Sequence, residues 1–279
     1  MCFDLDAHPP ELPLQLAGGA GDGRSLTLTA ADGNRFPAYF ALSLAERGAS
    51  ASGASGTLAV PSGTGIVVIP DIRGLVPYYE ELALRFAEAG VRALAIDLYA
   101  RTAGTNKRGQ DFDSMTHSGR TTQTGIAADV AAAAAFLRSG EGGASGALFT
   151  VGFCFGGRAS LLQGVEAHEL AGVIGFYGPP TGPARNGSAA PADVAARYRS
   201  AVLALYGGAD RGIPLEAIET FDRALQSAGV AHEIVVYPGA PHSFFDRHQA
   251  EYGEASADSW RRVLDFMSRH AASGPQASA

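Results

Sequence analysis

The stretch Leu148-Phe-Thr-Val-Gly-Phe-Cys-Phe-Gly-Gly157 constrains the fold more than any other part of the chain. Leu148 to Val151 is a short apolar run that reads as a buried strand, and the residues from Gly156 onward suit the start of a helix. Gly152 and Gly156 stand two residues either side of Cys154. That spacing marks a tight strand-to-helix turn, where the flanking glycines make room for a strained central residue held away from its own backbone. The central residue of such a turn is usually serine. A sulfur there faces the unpaired N–H groups of the first helical turn, which favour the thiolate, the reactive form. The alternative is a packing cysteine, since unpaired Cys is among the most buried residue types.

The rest of the chain alternates in the same sense. Ser25 to Thr29 and Phe36 to Leu44 form an opening hairpin around Asp32-Gly33-Asn34. Strands follow at Ile66–Ile69, Ala93–Ile96, Leu148–Val151, Val173–Phe176, Val202–Tyr206 and Glu233–Tyr237. Helices are expected over Tyr78–Ala89, Thr121–Arg138, Gly157–His168, Leu215–Ser227 and about Ala257–Arg269. Such alternation predicts a mostly parallel central sheet with helices on both faces, an α/β fold. Residues 1–24 read as an extended arm, 25–270 as a single domain and 271–279 as a flexible tail. Gly48 to Gly65 reads as a Gly/Ser/Ala loop. Two further long loops, Tyr99–Thr121 and Gly178–Val194, are placed to shape a pocket.

Two later segments carry partners for Cys154. The Val202–Tyr206 strand ends in Gly207-Gly-Ala-Asp210, and the Glu233–Tyr237 strand is followed by Pro238-Gly-Ala-Pro-His242-Ser-Phe244. An acid and then a histidine, each just past a strand end and after the nucleophile, is the chain order of the α/β-hydrolase triad. Singly, Asp210 and His242 could be turn residues. The order and placement of all three point to acyl chemistry.

Composition narrows the partners. A net charge of −7, with Lys107 the only lysine and no basic stripe, argues against nucleic acid. No apolar run approaches the ~20 residues of a membrane span, and Met1–Pro10 lacks the features of a signal peptide. Cys2 and Cys154 are the two cysteines, and pairing them would consume the nucleophile, so a reducing, cytoplasmic compartment is expected. No metal or nucleotide motif is present, so no cofactor is expected.

An oxyanion needs two N–H donors: Phe155, following the nucleophile, and Ile72, in the loop Pro70-Asp71-Ile72-Arg73-Gly74-Leu75. Asp71 and Arg73 could tune the thiolate or hold an anionic substrate, or could form a local ion pair. Arg158, one helical turn past Cys154, reads as a surface charge.

These residues resemble the dienelactone hydrolase family (carboxymethylenebutenolidases) over roughly Phe36 to Met267. The resemblance rests on Ile66-Val-Val-Ile-Pro-Asp-Ile-Arg-Gly74, Ile96-Asp-Leu-Tyr-Ala-Arg101, Gly152–Gly157, Gly207–Asp210 and Gly239–Phe244. It implies an α/β-hydrolase fold, no cofactor, and a small ester or lactone substrate. It also implies Cys154 as nucleophile, His242 as base, Asp210 as its orienting acid and Tyr177 as a pocket aromatic. The chain departs from the family in two places. Asp71 stands where the well-known enzymes carry a glutamate that engages the thiol, and Asp246 stands where they carry a carboxylate-binding arginine, with Arg247 beside it. Neutral substrates are therefore expected to outperform the carboxylated dienelactone. Thioester cleavage or acyl transfer in the same site, and a non-catalytic binding protein of the same fold, are the other readings. The sequence leaves the oligomeric state open.

Overall fold

The computed structural model describes residues 3–4, 6–13, 21–43 and 60–271. Eight strands among them form one sheet: β1 (Gly21–Thr29), β2 (Arg35–Ser43), β3 (Thr64–Ile69), β4 (Arg92–Ile96), β5 (Ala147–Phe153), β6 (Gly172–Phe176), β7 (Ala201–Gly207) and β8 (His232–Tyr237). Their order across the sheet is β1-β2-β4-β3-β5-β6-β7-β8. β1 and β2 pair antiparallel, as do β2 and β4, and every later pairing is parallel. The hairpin turns where Asp32 and Gly33 were expected to turn it. Gly33 takes φ 86°, and the Asp32 carboxylate accepts the Asn34 N–H.

Helices α1 (Pro77–Glu88), α2 (Ala100–Ala103), α3 (Ser114–Arg120), α4 (Gln123–Arg138), α5 (Phe155–Gln163), α6 (Leu215–Ser227) and α7 (Gly253–Ala271) accompany the sheet. Adjacent residues of β5 show that both faces are covered. Phe149 meets Phe266 of α7 edge-on at 6.1 Å, while Thr150, pointing the other way, accepts the Ser160 hydroxyl of α5 at 2.8 Å. Coverage on both sides explains why β3, β6 and β7 are buried at every position and read as continuous apolar runs. α1 joins α7 through Phe86 and the fully buried Trp260.

Several expected boundaries move. β1 starts at Gly21, inside the segment assigned to the arm, because its pairing with β2 continues to Ser43. The Tyr99–Thr121 loop contains α2 and α3. α4 begins only at Gln123, because the Thr122 hydroxyl caps it by accepting the Gly125 N–H. α5 starts directly after Cys154 and stops at Gln163, short of the expected His168. α7 extends two to four residues beyond its expected ends. Most of the Gly48–Gly65 loop and of the 271–279 tail lies outside the described residues. No helix among the described residues is long and apolar enough to cross a membrane.

Candidate active site

Cys154 occupies the single residue between β5 and α5, at φ 53° and ψ −113°. A side chain with a Cβ rarely takes that conformation and keeps it only where its surroundings enforce it. Here the Cys154 N–H donates to the Phe176 carbonyl of β6, and its own carbonyl accepts the Arg158 N–H of α5. The flanking glycines are needed for space. A Cβ at Gly152 would lie 2.0 Å from the Gly156 carbonyl oxygen, and one at Gly156 would lie 2.0 Å from that of Pro70. The sulfur thus stands at the N-terminal end of a nine-residue helix, partly exposed.

Asp210 and His242 come from the loops after β7 and β8, at the same carboxyl edge of the parallel strands as Cys154. The two loops are laced together. The Ala209 N–H donates to the Ala240 carbonyl, and a Cβ on Gly207 would lie 2.3 Å from that oxygen. Asp210 Oδ2 lies 2.6 Å from His242 Nδ1, and its Oδ1 accepts the Gly212 N–H at 2.8 Å. The Asp210 side chain is 3% exposed and that of His242 30%, so the carboxylate is shielded while the imidazole is partly exposed. With Nδ1–H donated to Asp210, Nε2 is left as the basic nitrogen. Tyr177, itself at φ 38°, holds its ring 4.8 Å from that of His242.

The loop after β3 is held from both sides. Tyr99 donates its hydroxyl to the Ile72 carbonyl at 2.7 Å, and the Asp71 N–H donates to Tyr79 Oη at 3.0 Å. The N–H groups of Ile72 and Phe155 find no acceptor among the described residues, as oxyanion donors require. Asp71 is fully buried and accepts both the Arg73 N–H (2.8 Å) and its Nε–H (3.1 Å). The two side chains form the local ion pair, with Arg73 Nη2 3.0 Å from Asp71 Oδ2. Arg73 Nη1 also donates to the carbonyls of Phe3 and Asp4.

Arg247 lies against Glu81 of α1 at 3.5 Å and Glu11 of the N-terminal arm at 3.8 Å. Asp246 is 1% exposed and accepts the His248 N–H through Oδ1, so its carboxylate is engaged by its own loop. Arg158 is no surface charge. It is 5% exposed and donates to five carbonyls of the Gly178–Val194 loop: Pro179, Thr181, Gly182, Ser188 and Ala189. Burial lowers its pKa below the usual guanidinium value. The sequence also gave no sign that the arm would be anchored. Phe3 is buried beside Tyr177, Trp260 Nε1–H donates to the Pro10 carbonyl, and the Arg247 N–H donates to that of His8. No group of three His, Cys, Asp or Glu side chains able to hold a metal ion occurs among the described residues.

A cysteine on a strained strand-to-helix turn, with an aspartate and a histidine at later strand ends of a mostly parallel eight-stranded sheet, is the arrangement of the α/β-hydrolase fold. Comparison with known proteins narrows this. The model of the dienelactone hydrolase family matches residues 54–271, and the chain belongs to that family. A Salmonella typhimurium protein named "Putative carboxymethylenebutenolidase" is 32% identical over 252 residues, covering 88% of this chain and 87% of that protein. An Escherichia coli O157:H7 protein of the same name is 33% identical, covering 74% of this chain and 76% of its own length. A crystal structure from Klebsiella pneumoniae, titled a "Putative Dienelactone Hydrolase", is similar at a TM-score of 0.75 and 30% identity. That match covers 89% of this chain and 99% of the other.

Proposed function

We propose that this protein is a thiol-dependent hydrolase of small esters or lactones, acting through Cys154, His242 and Asp210 without a cofactor. The observation that carries the proposal is the strained conformation of Cys154 at the start of α5, combined with the 2.6 Å His242–Asp210 contact at the same edge of the sheet. His242 takes the thiol proton of Cys154, the thiolate adds to the acyl carbon, and the new C–O⁻ is held by the N–H groups of Ile72 and Phe155. The C–O bond to the leaving group then breaks, with its proton supplied by the His242 imidazolium, giving a thioacyl-enzyme. His242 next takes a proton from water. The resulting attack expels the thiolate and releases the acid. Asp210 keeps Nδ1 protonated and stabilises the imidazolium throughout. Because the nucleophile must stay reduced, the proposal includes a cytoplasmic location.

Arg73 pairs with Asp71 and the arm, and Arg247 lies against Glu81, which supports a site without an arginine held ready for a substrate carboxylate. Neutral substrates fit such a site better than the carboxylated dienelactone. The test is a panel of lactones and aryl esters run on wild type and Cys154→Ala, with intact-mass detection of an acyl adduct on Cys154. Wild-type turnover that survives in Cys154→Ala would overturn the thiol mechanism. Water and alcohol acceptors compared in the same assay separate hydrolysis from acyl transfer.

A further inference from the structure

Phe3 enters the site from the N-terminal arm. Its ring stacks on Tyr78 at 4.3 Å and stands edge-on to Tyr177 at 6.3 Å, and the Tyr177 ring is the one beside His242. Phe153, the residue before the nucleophile, lies 6.5 Å away. The guanidinium of Arg73 sits 5.5 Å over the same ring and holds the Phe3 carbonyl at 3.2 Å, so the loop carrying Ile72 also fixes the arm. Further along, the arm is secured by His8 Nδ1 at 2.6 Å from Glu81 and by the Pro10 and His8 carbonyls noted above. Phe3 is 2% exposed, whereas Cys154 is partly exposed and the His242 side chain 30% exposed. The arm thus packs a buried ring against Tyr177, which flanks His242, and leaves Cys154 and His242 partly exposed.

We propose that Phe3 is a specificity-determining residue: its ring fills the aromatic end of the cleft and restricts the site to compact acyl groups, excluding aryl ones. The space is shaped for a ring, because Tyr78 offers a stacking face and Tyr177 an edge. In wild type a residue of the chain itself occupies it. A substrate ring could take the same position only after Phe3 has been cut back.

This inference rests on the proposed hydrolase reading for its substrates, so the test has an arm that needs no hydrolysis. Wild type, Phe3→Ala, Phe3→Leu and Phe3→Trp are compared in two assays. The first is the ratio of kcat/KM for 4-nitrophenyl phenylacetate over 4-nitrophenyl acetate. The second is the ratio of alkylation rates by N-benzylmaleimide over N-methylmaleimide, read at Cys154 by peptide mass spectrometry. Both ratios should rise in the order Trp, Phe, Leu, Ala, with Phe3→Ala about tenfold or more above wild type, the scale on which apolar pockets discriminate. The decrease expected for Phe3→Trp is not produced by a merely loosened arm, and Phe3→Leu covers the case in which Phe3→Ala disorders the segment. Ratios that stay flat across the folded variants would overturn the proposal, as would equal loss on small and large reagents. Alkylation ratios that change while no ester is turned over would leave Phe3 as the size filter and refute the hydrolase reading instead.

Discussion

Replacing Arg158 by methionine is the sharpest test of how the site is supported. The substitution keeps an apolar stem but removes all the N–H donors that hold Pro179, Thr181, Gly182, Ser188 and Ala189, at distances of 2.9–3.4 Å. Hydrogen bonds from a charged donor contribute about 1.5–3 kcal/mol each. The five do not add, because the loop can return carbonyls to water and the buried charge no longer needs desolvating. The lowered pKa of Arg158 is a sign of that desolvation penalty. A net loss of about 3 kcal/mol is expected, from buried carbonyls left without donors. At about 2–4 °C per kcal/mol for a chain of this size, Tm should fall by roughly 10 °C. Arg158→Lys, with one nitrogen in place of three, should fall between the two. Urea titration gives the stability change, and hydrogen exchange over residues 178–190 locates it. A methionine variant within about 1 kcal/mol of wild type, with unchanged exchange in that loop, would refute the assignment of Arg158 as its anchor.

Three further outcomes are expected. His242→Ala should lower kcat about 10²-fold or more, and Asp210→Asn by less, since the acid only orients and stabilises the imidazole; equal, small losses in folded variants would break the triad. Gly156→Ala should cost about 3 kcal/mol, because the added methyl meets the backbone oxygens of Pro70 and Ile69, while Gly146→Ala, with nothing within 4 Å, should be silent in the same melts. Burial lowers the pKa values of His168 and His270 below their ordinary 6.5, so the unfolded chain binds more protons just below that pH. The stability they contribute is complete above pH 6.5 and lost as pH falls, and His168→Gln with His270→Gln should flatten the dependence of Tm on acidic pH.

How much could be read without coordinates depended on the range of the interactions involved. The strand-to-helix turn at Cys154, the apolar runs of β3, β5, β6 and β7, and the Asp32–Gly33 turn are set by residues adjacent in the chain, and they are legible in sequence. The order Cys154, Asp210, His242 is likewise a one-dimensional property, carried by glycine turns at strand ends. The pairing of His242 with Asp210 follows from that order only because β7 and β8 lie side by side. Which way the arginines turn was beyond reach. Arg158 and Arg73 look alike as isolated charges near Cys154, yet one is consumed by five carbonyls of a loop more than 20 residues away and the other by its own neighbour and the arm. Asp246 sits where an unfavourable charge was expected in the pocket, but a local turn holds its carboxylate. Phe3 lies in a segment with no periodicity and meets Tyr177 only through chain reversal across the whole fold. Local backbone preference and burial pattern determined the architecture and the chain order of Cys154, Asp210 and His242. The surroundings of these residues were decided by tertiary packing, because the groups that form them satisfy hydrogen bonds and bury rings against partners far away in the chain.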